Sequence, residues 1–196
     1  MALRLPTEPT DGIAVMRQEL DQFSTQDDPL EDAGVAREAV DPLRIDRLHP
    51  VYHLDSEAAA DGRNLDTAEL IGYRYLVQEG TGELSTAEIH VDAAHNATSM
   101  TMRSYGPYAE ALSRGLTQVE KLPTVATGSY ELRVLQCSAI FLVALWLKGD
   151  QGQPDILYPL APAPEGFEPE HPYSADEFLK IARSLVQARI AANTAA

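Results

Sequence analysis

The sequence predicts an α+β protein: an antiparallel sheet of hairpin-connected strands packed against helices, with a capped C-terminal helix. Three stretches carry that prediction. Tyr130–Leu147 reads YELRVLQCSAIFLVALWL, and every residue from Ala139 to Leu147 is apolar. Glu69–Gln78 and Leu84–Asp92 have strand patterns on either side of Glu79-Gly80-Thr81-Gly82-Glu83, a hairpin connection. Ser174 with Glu177 forms a capping box ahead of a run at helical spacing. Strands joined by hairpins, instead of alternating with helices, place helices on an antiparallel sheet.

The apolar stretch is too short to span a membrane, which takes roughly 20 mostly apolar residues. Gly128 precedes it, and Gly149-Asp150-Gln151-Gly152-Gln153-Pro154 follows it with loop chemistry. The expectation is a β-hairpin, Ala139–Lys148 against Pro154–Tyr158. An unbroken apolar run then means a central strand covered on both faces. Tyr130–Gln136 reads as an extended lead-in that bends near Cys137-Ser138 through a bulge.

From the N-terminus, Thr10 or Asp11 can cap a first helix, with Ile13, Met16, Leu20 and Phe23 on one face. Asp28-Pro29-Leu30-Glu31 starts a second, ending near Val40 ahead of Pro42. Residues 1–42 are thus expected to form an acidic helical segment or arm, and 43–196 a single α+β domain. Leu43–Leu54 reads as extended, with Pro50 marking it as an edge or irregular strand. Asp55–Asn64 reads as a loop. In Glu69–Gln78, the side chains of Ile71, Tyr73, Tyr75 and Val77 share one face. In Leu84–Asp92, Ala87, Ile89 and Val91 point one way and Thr86, Glu88, His90 and Asp92 the other. Ser99–Met102 is a further strand. A helix over Tyr108–Glu120 buries Tyr108, Leu112, Leu116 and Val119, and Leu122-Pro123 ends it. Pro159, Pro162, Pro164, Pro169 and Pro172 mark an extended strap anchored by Phe167. In the last helix, Tyr173 and Phe178 form a hydrophobic staple, and Phe178, Ile181, Leu185 and either Ala188 or Arg189 form the buried face.

The net charge of -15 argues against nucleic acid and against an anionic membrane surface, since both require a basic face. The single cysteine, Cys137, excludes an internal disulfide and sits among core residues. Met1–Pro6 shows no secretory signal, so a soluble, cytoplasmic protein is expected.

Glu88, His90 and Asp92 are the most suggestive polar set, because alternate strand positions put carboxylate, imidazole and carboxylate on one face. The plainer reading is the solvated outer face of a half-buried strand. Tyr73 and Tyr105 are candidate aromatic lining for a ligand. His49 and His53 stand four apart and read as surface histidines. No phosphate-binding glycine loop or nucleophile elbow occurs, and no cofactor or metal is implied. The expected function is a binding or assembly module with a protein partner or a second copy of itself. The alternative is a small-molecule binder or enzyme with a pocket between curved sheet and helix, lined by Glu88, His90, Asp92, Tyr73 and Tyr105.

Overall fold

The computed structural model describes residues 3–4, 7–26, 44–78, 84–92 and 94–194. In chain order the elements are α1 (Gly12–Gln26), β1 (Arg44–His53), α2 (Ser56–Asp61), β2 (Glu69–Gln78), β3 (Leu84–Val91), β4 (Ala97–Tyr105) and α3 (Pro107–Val119). Then come α4 (Pro123–Thr127), β5 (Tyr130–Cys137), β6 (Leu142–Gly149), β7 (Ile156–Pro159), β8 (Tyr173–Ser174) and α5 (Ala175–Thr194). The eight strands hydrogen-bond in the order β4-β3-β2-β1-β5-β6-β7-β8. Pairing is antiparallel within β2–β3–β4 and within β5–β6–β7–β8, and parallel between β1 and β5. The expected α+β class, with a C-terminal helix packed against the sheet, is what the chain adopts. Contacts divide it into two compact units. One comprises Met1–Pro6, His49–Ile71 and Glu110–Ala196, and the other Thr7–Leu48 and Gly72–Ala109.

In the first unit, β6 lies between β5 and β7 and is covered on both faces, as its unbroken apolar sequence requires. Ala144 and Trp146 join Leu135, Cys137, Leu157, Phe178, Ala182 and Val186 on the α5 side. Leu145 and Leu147 join Leu112, Leu116, Val119, Leu132, Val134 and Tyr158 on the α3 side. Burial pushes the Cys137 thiol pKa up, in keeping with a small core residue. The hairpin β6–β7 forms about where expected, with Gln151 and Gly152 at φ 52° and 84° in its turn.

Several expectations in this unit are corrected. Tyr130–Cys137 is no lead-in but a full strand, paired from Tyr130↔Gly149 to Cys137↔Leu142. The apolar run therefore does not start β6 at Ala139. Ser138–Ile140 forms a 3₁₀ turn, and Phe141 closes it in the left-handed region at φ 53°. Pro50 does not mark an edge, because β1 is interior. Its ladder with β5 covers Val51–His53, so the missing N–H falls before the paired stretch. Asp55–Asn64 is not a loop throughout. The Asp55 carboxylate accepts from the N–H groups of Glu57 (2.8 Å) and Ala58 (3.3 Å) and starts α2, and Gly62 at φ 71° ends it. Pro123, expected only to end α3, also opens α4 at its first turn.

In the second unit, α1 packs against β4 and β3, with Met16 fully buried. The side chains of Leu20 and Phe23, and the expected helix at 28–40, lie outside the described residues. Strand β2 from Gly72 to Val77 and strand β3 from Ser85 to Ile89 are buried residue by residue on both faces. At Gly72 a Cβ would run into the Ile89 carbonyl, so this glycine lets the two backbones approach closely. Among the described residues, no helix is long and apolar enough to cross a membrane.

Candidate functional site

The capping box forms as the sequence predicts. The Ser174 Oγ donates to Glu177 Oε2 at 2.7 Å, the Ser174 N–H donates to the same oxygen at 3.2 Å, and the Glu177 N–H returns to Ser174 Oγ at 3.4 Å. Those bonds from Ser174 hold the Glu177 carboxyl below its ordinary pKa. The staple is built through a third ring. Phe167 sits 4.9 Å from Phe178 and 5.7 Å from Tyr173, centroid to centroid. Phe167 is thereby the buried anchor of the proline strap. The strap is also tied down where Glu170 N–H donates to the Pro159 carbonyl at 2.9 Å and the Glu170 carboxylate pairs with Arg114 at 3.2 Å.

Helix α5 turns a different stripe inward from the one expected. Phe178, Ala182 and Val186 are the buried residues, at successive turns. Ile181 and Leu185 are only partly buried, packed against the edge of that core. Between them and the strap runs a groove of about 550 Å³. Ile181, Leu185 and Gly166 make its apolar part. His171, Tyr173, Glu177, Lys180 and Ser184 supply the polar groups. The groove is open, since Gly166, His171, Glu177, Lys180 and Ser184 are all exposed. Its groups differ in availability. The Glu177 carboxylate is engaged by the cap. The Tyr173 hydroxyl accepts from the Glu168 N–H at 2.8 Å, which leaves its own proton to donate. Lys180 makes no ion pair among the described residues.

The residues singled out from sequence lie elsewhere. Glu88 is not on a solvated face. It is buried and paired with Arg74, its register partner across β2 and β3. The Arg74 Nε donates to Glu88 Oε2 at 3.1 Å, its Nη2 donates to the same oxygen, and its Nη1 donates to the Tyr108 hydroxyl. Burial raises the Tyr108 pKa, with Arg74 opposing the shift. His90 is exposed. Asp92 lies beyond the end of β3, where its carboxylate accepts from the N–H groups of Ala94 (2.8 Å) and Asn96 (2.9 Å) and closes a turn. Tyr73 is buried, and alternation places it on the opposite face of β2 from Arg74. The side chain of Tyr105 lies outside the described residues. Among the described residues, no three His, Cys, Asp or Glu side chains are grouped to hold a metal.

The groove was hard to read in the sequence because Ile181 and Leu185 look like core at helical spacing. One signal was present. After Glu177, α5 carries Lys180, Arg183 and Arg189 and no acid, in a chain of net charge -15. No family model matches the chain, and comparison with curated proteins and with solved structures returned no match.

Proposed function

We propose that the chain is a binding module that docks a short polypeptide segment of a protein partner in the groove between the strap and α5. The observation that carries this reading is the groove itself: an open channel with Ile181 and Leu185 as its apolar side, and Lys180, Ser184, Tyr173 and His171 around them. Its volume lies within the roughly 300–1,000 Å³ usual for ligand sites. Its openness suits one side of a polypeptide better than an enclosed small molecule. Apolar side chains of the segment rest on Ile181 and Leu185, and polar groups meet the Lys180 ammonium and the Tyr173 and Ser184 hydroxyls. This is recognition by a helix flank and a rigid strap, with the capping box and Phe167 holding the two in place.

The test is affinity panning of a random heptapeptide library on the purified chain, followed by titration of the recovered peptides. Ser184→Trp fills the groove from an exposed position, and Leu185→Asp charges its floor; either is expected to abolish binding. Lys121→Gln, at an exposed site away from the groove, is expected to leave it intact. Peptides that bind Ser184→Trp as well as wild type, or a library that yields no binder, would overturn the reading.

A further inference from the structure

We infer that the segment taken by this groove is acidic and that Phe141 anchors its far end, an inference that rests on the docking reading above. Charge is the first argument. The chain carries net charge -15, yet α5 from Lys180 to Thr194 holds three cations and no acid, and the Glu177 carboxylate that also lines the groove is taken up by the N–H and hydroxyl of Ser174. One of the cations lines the groove, and a second continues the same helix edge beyond it. Lys180 stands beside Ile181 at one end. Arg189 is one turn beyond Leu185 at the other, so Ile181, Leu185 and Arg189 follow one another at i, i+4 and i+8. Neither Lys180 nor Arg189 makes an ion pair among the described residues. The third cation, Arg183, donates instead to the Ala60 carbonyl at 3.1 Å. Eight helical residues cover about 12 Å, a distance an extended segment spans with about four residues.

Phe141 is the second argument. The turn between β5 and β6 demands a left-handed residue, and a bulky side chain at φ 53° is the wrong choice on backbone grounds. Glycine would serve the turn better, and the ring does not compensate by burial, being 73% exposed. What the ring does is lie under Arg189, with the guanidinium carbon 4.6 Å from its centroid. That stack presents a planar fork of N–H donors to a carboxylate, next to an exposed aromatic face that an apolar side chain can cover. Aromatic rings and arginines are the residues on which docking energy concentrates. The occupant that matches is therefore a segment of acidic residues interleaved with aliphatic ones, its carboxylates on Lys180 and Arg189 and its apolar side chains on Ile181, Leu185 and Phe141.

Three peptide libraries test this, each with Leu, Ile or Phe at alternate positions and with Asp/Glu, Ser/Thr or Lys/Arg between them. The acidic library is expected to be the one enriched, and its peptides to weaken as salt rises. Lys180→Glu with Arg189→Glu should transfer the preference to the Lys/Arg library. Phe141→Gly should weaken the acidic peptides about 30-fold, the loss expected of an interface hot spot, while leaving the melting temperature at or above that of wild type. If binders blocked by Ser184→Trp come equally from all three libraries, the docking reading survives and the acidic occupant is wrong. If acidic binders are unaffected by Phe141→Gly, the anchor is wrong. If no library yields a binder sensitive to Ser184→Trp, the docking reading fails and this inference with it.

Discussion

Arg74 and Glu88 face each other across β2 and β3 as direct register partners, and both are buried, at 0% and 6% exposure. Two guanidinium nitrogens of Arg74 share one Glu88 oxygen, and the Arg74 guanidinium carbon lies 5.2 Å from the centroid of the Tyr108 ring. A charge this far from water is tolerable only while its partner is in place.

Removing one member should therefore cost far more than removing both. Glu88→Gln leaves the Arg74 charge buried and uncompensated and is expected to destabilise by about 3–5 kcal/mol. The double variant Arg74→Met, Glu88→Leu replaces the pair with apolar groups, and its stability should lie close to or above that of wild type. Urea denaturation of the two variants reads the difference directly. A wild-type midpoint for Glu88→Gln would mean that the pair is solvated in solution.

Trp146 is 1% exposed and donates from Nε1 to the Asp155 carboxylate at 2.8 Å, with Tyr52 edge-on at 5.3 Å and the Arg133 guanidinium stacked at 4.7 Å. Trp146→Ala should cost about 3–5 kcal/mol through the cavity it leaves. Trp146→Phe keeps most of the volume and should cost much less. As Trp146 is the single tryptophan, native emission should be blue-shifted and should report unfolding cleanly. Red-shifted native emission would place the indole in water and contradict the packing.

Acid should destabilise the chain through carboxylates that cap helices, close a turn or pair with a lysine. Asp55 is held below its ordinary pKa chiefly by the Glu57 N–H, Glu177 by Ser174, Asp66 by Lys148 and Asp92 by Asn96. Each has a folded pKa below its unfolded value, so its contribution is present above the unfolded value near about 4. That contribution is lost as pH falls through the lowered folded value. Melting temperature should thus be flat near neutrality and fall below about pH 4. Asp55→Asn keeps an acceptor for the α2 cap without a titrating group, so its acid limb should be shallower than that of wild type. An identical limb in calorimetric scans would show that this cap does not contribute to the acid transition.

Much of the fold was legible because its signals are local. The Glu79–Glu83 connection flanked by strand patterns announced β2 and β3. Ser174, Glu177 and the rings around them announced the start of α5. The run of apolar residues up to Leu147 announced a strand covered on both faces. The candidate site was not legible in this way. Glu88 alternates with His90 as an outward residue would, and nothing within β3 shows that a buried arginine waits at the register position on β2. Ile181 and Leu185 fit a buried stripe as well as Phe178, Ala182 and Val186 do, because apolar residues at helical spacing cover a broad arc.

The sequence by itself determined the strand character of Glu69–Gln78 and Leu84–Val91, the capped start of the last helix, and that the apolar run ending at Leu147 must be covered on both faces. These depend on backbone preferences and side-chain periodicity within a few residues. Only the tertiary structure decided that β1 is interior and parallel to β5, with Pro50 just before its ladder. It alone decided that Gly72 admits the Ile89 carbonyl, that Phe141 is turned outward from an apolar run, and which edge of α5 stays open beside the strap. Each of these depends on a partner far away in the chain. A residue's own neighbours set its conformational preferences, but the free energy that selects one face or one register comes from surfaces that meet only when the chain is folded.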